Sequence, residues 1–252
     1  MALGETTQPP WLSIIIPAYN EESRIGQTLE LVTAYLRGQK YSWEVLVAND
    51  GSADGTAEIV KGVGSKWTRV RLLDLRHGGK GWAVRNGMLQ ARGRLRFLCD
   101  ADLSMPIEHI ERFMSEEGSR WDVVIGSREA PGARRIGEPW GRHLMGRIFN
   151  TLTRLLAAPG IKDTQCGFKL FKDYAAERLF SLQRLEGFGF DAEVLFLARK
   201  LGYSVGEVGI DWRYQTRSKV SPVRDSLRMV ADLFNVRWAY RRGVYKDKEQ
   251  PQ

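Results

Sequence analysis

The chain has 252 residues, of which 43% are hydrophobic and 27% charged, enough to bury one sizeable core. No stretch approaches the roughly 20 consecutive apolar residues that a membrane-spanning helix needs, and residues 1–10 lack the apolar centre of a secretory signal. The formal net charge of +8 favours anionic partners such as nucleotide phosphates, nucleic acid or lipid headgroups, while only two cysteines, Cys99 and Cys166, exclude a disulfide framework and point to a reducing, cytoplasmic setting.

Residues 1–10 read as a flexible lead-in. Residues 12–16 are an unbroken apolar run stopped by Pro17, the pattern of a buried strand. Over 21–36, Ile25, Leu29, Val32 and Leu36 recur at helical spacing. Residues 43–48 form a second strand, and the turn Gly51-Ser52-Ala53-Asp54-Gly55 leads into a helix that Asp54 or Ser52 would cap. A third strand covers 70–75, Gly78-Gly79-Lys80-Gly81 opens a helix ending near Gly93, and 95–99 and 122–126 are the fourth and fifth strands. Residues 128–143, with two prolines, three glycines and four arginines, read as a mobile basic loop. Residues 140–158 and 188–201 read as helices, 205–212 as an alternating strand, 222–242 as a long amphipathic helix and 243–252 as a polar tail.

Strands alternating with helices define an α/β fold with a mostly parallel sheet flanked by helices, and ligands of such sheets bind at the carboxyl ends of the strands. The polar clusters fall at those ends: Tyr19-Asn20-Glu21, Asn49-Asp50, Asp100-Ala101-Asp102 and Ser127-Arg128. In extended backbone Asp100 and Asp102 point to the same side, so both can reach one hard cation such as Mg²⁺ or Mn²⁺. Exposed amides and a positive helix end at Gly79-Lys80 suit phosphate. The Walker A spacing is absent, and no Gly-x-Gly-x-x-Gly follows the first strand, which argues against a dinucleotide-dependent oxidoreductase. His77 reads as an exposed loop residue. Aromatic residues sit mainly in periodic apolar segments rather than interleaved with arginine on one exposed surface, which argues against nucleic acid as the partner.

Pro17-Ala18-Tyr19-Asn20-Glu21, Asn49-Asp50-Gly51-Ser52, Gly79-Lys80-Gly81 and Asp100-Ala101-Asp102 resemble the motifs of family 2 glycosyltransferases of the GT-A fold. Asp163-Thr164-Gln165-Cys166-Gly167-Phe168-Lys169-Leu170-Phe171, Gly189-Phe190-Asp191-Ala192-Glu193 and Ser218-Lys219-Val220 resemble the polyprenyl-phosphate branch, its dolichyl-phosphate glucosyltransferases ahead of its mannosyltransferases. The resemblance spans roughly residues 12–242. It implies one GT-A domain at 11–242, with a nucleotide-binding part at 11–127 and an acceptor-binding part at 128–242.

The same resemblance implies an inverting enzyme that moves a hexose, foremost glucose from UDP-glucose, to a polyprenyl or dolichyl phosphate. GDP-mannose as donor and a soluble glycan as acceptor are the alternatives. Pro17, Tyr19, Asn20, Glu21, Asp50, Gly79, Lys80, Asp100 and Ala101 would hold the nucleotide sugar, and Asp100 and Asp102 the Mg²⁺ or Mn²⁺. Asp163, Asp191 and Asp102 would face the reacting groups. A phosphate acceptor, with a second pKa of about 6, arrives deprotonated and asks for cations rather than a strong base. Arg128, Arg142 and Lys219 are the candidates. Asn49 stands where the family commonly has a second aspartate. The lipid would be met peripherally at the cytoplasmic face of the membrane. The helix at 140–158 and the stripe Leu227, Val230, Phe234 and Trp238 with Arg224, Arg228, Arg237 and Arg242 are the candidate contacts.

Overall fold

A computed structural model describes residues 8–137, 160–214 and 222–245, with side chains of the last segment described from residue 231. The expected helix at 140–158, Arg142 and Lys219 lie outside the described residues.

The main sheet contains β1 (Leu12–Ala18), β2 (Trp43–Asp50), β3 (Val70–Leu75), β4 (Leu95–Leu98), β5 (Val123–Ser127), β7 (Lys169–Lys172) and β8 (Val205–Gly209), in the order β3-β2-β1-β4-β7-β5-β8. Every neighbouring pair is parallel except the two made by β7, which runs antiparallel between β4 and β5. β1 and β2 are buried along their whole length, as expected of strands covered on both faces. Their apolar runs therefore carry no alternation.

Helices α1 (Ile25–Arg37), α2 (Thr56–Lys66), α3 (Lys80–Gln90), α4 (Asp173–Leu182), α5 (Phe190–Lys200) and α6 (Pro222–Arg241) accompany the sheet. The apolar stripe of α1 lies in the core, with Ile25, Leu29, Val32 and Leu36 all buried. α3 approaches the sheet closely at Gly87, where a Cβ would stand 2.5 Å from an Ile15 methyl. Behind β4, Phe97 packs edge-on against Phe113, ring centroids 5.2 Å apart. Truncating a buried phenylalanine of this kind costs about 3–5 kcal/mol.

Three expectations change. Part of the basic loop is ordered: β6 (Arg134–Ile136) pairs in parallel with β9 (Asp211–Arg213) in a separate two-stranded sheet. The single strand expected at 205–212 is two strands in different sheets, split at the buried Ile210. In α6, Leu233 and Val236 face the core, whereas Phe234 and Trp238 are each 56% exposed. The described part of the stripe read from spacing, Phe234 and Trp238, therefore faces outward, and the core contacts come from the adjacent face.

Candidate active site

A cleft of about 880 Å³ opens across the carboxyl ends of the strands. Pro17, Tyr19, Glu21, Asp50, Gly79, Lys80, Asp100, Ala101, Asp102, Arg128 and Asp191 all line it. Strand order explains the layout: β3, β2 and β1 bring Tyr19, Asp50 and His77 to one end, and β4 and β5 bring the acidic pair and Arg128 to the other.

At the first end, Asp50 is 2% exposed. One carboxylate oxygen accepts the Gly78 and Gly79 amides at 2.8 and 3.2 Å, and the other accepts Gly79 at 2.9 Å. The amides expected to bind phosphate are therefore held by Asp50. The Trp82 amide, in the first turn of α3, donates to the Glu186 carbonyl at 3.1 Å. Gly79 takes φ 110°, a conformation closed to most side chains, which brings the turn under that carbonyl.

Asn49, in place of the family's aspartate, is buried. Its amide donates to Asp74 at 2.7 Å and its oxygen accepts the Ser52 hydroxyl at 2.5 Å. It ties β2 to β3 and does not line the cleft. Asn20 likewise braces the turn, accepting the Ala53 amide at 2.8 Å, and lies outside the cleft lining. Neither expected cap stands at the N-cap of α2, which is Gly55; Asp54, one residue before it, accepts the Thr56 amide at 3.1 Å. Ser52 instead accepts the Asn20 amide at 2.9 Å.

At the second end, Lys80 Nζ lies 2.7 Å from an Asp100 carboxylate oxygen. Burial lowers the Lys80 pKa, but Asp100 and Asp191 together outweigh it, and the ammonium is held above its ordinary range. Burial and then the neighbouring Asp100 push the Asp102 carboxyl above its usual value, against a bond from the Ser104 amide at 3.0 Å. Gly167 is required here, because a Cβ would overlap the Asp100 carboxylate. Two carboxylates in a partly desolvated cleft call for a compensating cation, and aspartate oxygens suit Mg²⁺ or Mn²⁺. Among the described residues no third histidine, cysteine or carboxylate joins them. The pair fits a cation whose remaining ligands are substrate oxygens and water.

Arg128 and Asp163 form one unit. Asp163 is fully buried and accepts Arg128 Nε at 2.6 Å, Nη2 at 2.8 Å and the Arg128 amide at 3.0 Å. Asp163 does not face the cleft; it fixes Arg128, which does. The guanidinium also lies over the Trp212 ring, 5.2 Å from its centroid. Asp191 reaches the cleft and pairs with the buried Lys169 at 2.5 Å. Burial raises its pKa, and Lys169 and Lys80 offset only part of that push.

Several lining residues carried no signal beforehand. Trp212 ends the segment read as a strand and Tyr214 follows β9, but the pairing of β9 with β6 in a separate sheet was not legible. Residues 184–189 form one rim of the cleft. The buried Glu193 holds that rim, accepting the Arg184 amide at 3.0 Å, the Leu185 amide at 2.8 Å and the Tyr245 hydroxyl at 2.6 Å.

A largely parallel sheet with a cleft past β1 and β2 and paired aspartates past β4 is the GT-A arrangement of nucleotide-sugar transferases. The same architecture is found in glucosyl-3-phosphoglycerate synthase from Mycobacterium tuberculosis, crystallised with Mn²⁺, uridine diphosphate and glucosyl-3-phosphoglycerate. The TM-score is 0.65 at 18% identity, covering 93% of this chain and 80% of that one. Mannosyl-3-phosphoglycerate synthase from Rubrobacter xylanophilus gives 0.65 at 17% identity, covering 96% and 78%. Residues 13–180 match the profile described as Glycosyl transferase family 2, and the chain belongs to that family of glycosyltransferases. Over 94% of its length it is 34% identical to dolichyl-phosphate beta-glucosyltransferase of Dictyostelium discoideum, covering 77% of that protein. It is 36% identical to the protein of that name from Drosophila melanogaster, covering 93% of this chain and 77% of that one.

Proposed function

We propose that this glycosyltransferase moves glucose from UDP-glucose to the phosphate of a polyprenyl or dolichyl lipid, with inversion, at the cytoplasmic face of a membrane. The observation that carries the reading is the acidic pair Asp100 and Asp102 beside Lys80 in a cleft about 880 Å³ in volume. The names of relatives of which this chain covers 77% support glucose and dolichyl phosphate.

Asp100 and Asp102, with donor phosphate oxygens, would hold Mg²⁺ or Mn²⁺, which when bound neutralises charge on the leaving diphosphate. Lys80 supplies a second positive charge beside that diphosphate. Pro17, Tyr19 and Glu21 enclose the nucleoside. Arg128, held rigid by Asp163 and Trp212, receives the acceptor phosphate, with Arg142 and Lys219 as its partners. An acceptor oxygen forms the bond to the anomeric carbon as the bond to the β-phosphate oxygen breaks, and the electron pair leaves with UDP. The acceptor carries no proton to remove, so no side chain need act as a strong base. Asp191 faces the sugar, with Lys169 as its counter-ion.

Among the described residues no helix is long and apolar enough to cross a membrane. Phe234 and Trp238 with Arg237, Arg241 and Arg242 form an exposed aromatic and basic patch suited to anionic headgroups. Incubating the enzyme and Mg²⁺ or Mn²⁺ with UDP-glucose or GDP-mannose, and with a polyprenyl phosphate or a soluble glycan, tests the proposal. Lipid-linked glucose from UDP-glucose is expected. Transfer from GDP-mannose alone, or to the soluble glycan alone, would overturn it.

A further inference from the structure

His77 is more constrained than an exposed loop residue. Its Nδ1 lies 2.9 Å from an Asp50 carboxylate oxygen and 3.1 Å from the Asp50 carbonyl. Both neighbours are acceptors, so Nδ1 is the donor, and in the neutral ring the accepting nitrogen is Nε2, across the ring. The ring stacks on Tyr19, centroids 4.4 Å apart and planes 24° apart. Its side chain is nevertheless 57% exposed and lines the cleft.

The backbone is shaped to hold this pose. Gly51 sits at φ 64°, and a Cβ there would come within 2.6 Å of the His77 backbone nitrogen. The turn carrying His77 can press against the end of β2 only because residue 51 is glycine. The Asp50 carboxylate, 2% exposed, already accepts the Gly78 and Gly79 amides and faces His77. Its capacity is spent inside the turn. Beside Pro17 and Tyr19, this end of the cleft therefore presents to a ligand the imidazole that Asp50 orients.

We propose that His77 is a specificity-determining residue for the donor nucleotide: Nε2 accepts the ring N–H of the nucleobase, with Tyr19 backing the imidazole. The class recognised is a base with an imide or lactam ring N–H, which uracil and guanine carry and cytosine and adenine lack. The inference rests on the nucleotide-sugar reading of the cleft. It differs from that reading in naming which side chain selects the base.

Calorimetric titration of UDP, GDP, CDP and ADP with Mn²⁺ into the wild type and two variants tests it. His77→Asn retains a donor for Asp50 but lacks the distal acceptor. His77→Phe retains the stack on Tyr19 but lacks both nitrogens. In the wild type a base with a ring N–H is expected to bind about tenfold more tightly than CDP or ADP, the scale of one polar contact left unmatched. In both variants that preference should collapse while CDP affinity stays near wild type. A preference retained by both variants, or an equal weakening of all four nucleotides at unchanged thermal midpoint, would overturn the assignment, because a purely structural histidine predicts those results. Failure of the wild type to bind any of the four would instead overturn the nucleotide-donor reading, and this inference with it.

Discussion

Asp163→Asn isolates the part of the site that sequence motifs placed on the substrate and the fold places behind it. The substitution keeps the shape of the side chain but removes the charge that faces Arg128 at 2.6 Å in a fully buried position. Removing one partner of a buried ion pair costs about 3–5 kcal/mol. The Arg128 side chain keeps 21% exposure, so water can partly compensate, and the lower limit of about 3 kcal/mol applies. For a domain of this size that corresponds to a drop of about 6–12 °C in thermal midpoint.

The pH dependence has a definite sign. Burial raises the Asp163 pKa, but the charges of Arg128 and Arg135 and the bonds from Arg128 override it, so the folded value lies below the ordinary one. The pair's contribution is then fully present above the unfolded pKa of about 3.9 and is lost as pH falls through the lower folded value. Urea midpoints measured from neutral to acid pH should show wild type and variant converging at the acid end. Kinetically, the loosened Arg128 should raise the KM for the lipid phosphate and leave donor KM nearly unchanged. Equal stability at neutral pH together with an unchanged acceptor KM would refute the argument.

Three further outcomes follow from the geometry. Asp102→Asn should abolish the thermal stabilisation that Mn²⁺ with UDP gives the wild type, which is about 2.7 kcal/mol at a ligand concentration 100 times Kd; scanning calorimetry with and without EDTA checks it. Glu193→Ala, which strands the Arg184 and Leu185 amides and the Tyr245 hydroxyl, should destabilise by about 1–3 kcal/mol and weaken substrate binding at the 184–189 rim, read by urea unfolding and KM. Replacing Phe234 and Trp238 by serine should cut flotation with anionic vesicles by about tenfold for each side chain without lowering the midpoint, since both are exposed.

The strands β1 to β5 were legible because apolar runs bounded by Pro, Gly and Asp are the signature of a covered parallel sheet. The position of the cleft followed from where each run ended. β7 escaped because Lys169-Leu170-Phe171-Lys172 is short and begins and ends in charge; Lys169 can be buried because Asp191, from a distant helix, and the Cys166 carbonyl meet it. The partners of Asp50 were equally hidden. They depend on the left-handed turn at Gly51, which brings residues 77–79 back onto β2. Phe234 and Trp238 share helical spacing with core residues, and only the packing of Leu233 and Val236 decides which side is wet.

The insertion of β7 between β4 and β5 bears on how the chain is made. β4 gains its second neighbour, and β5 its link to the rest of the sheet, only after about residue 172 has left the ribosome. Until then β4 is an unpaired edge, with unsatisfied amides and carbonyls and a row of apolar side chains, the kind of surface that seeks another strand. A fragment stopping near residue 127 would be trapped in that state, so residues 11–127 are no portable module that could be cut out and fused elsewhere. Nascent chains should depend on chaperone shielding over this interval, and the antiparallel strand acts as the clasp that ends it.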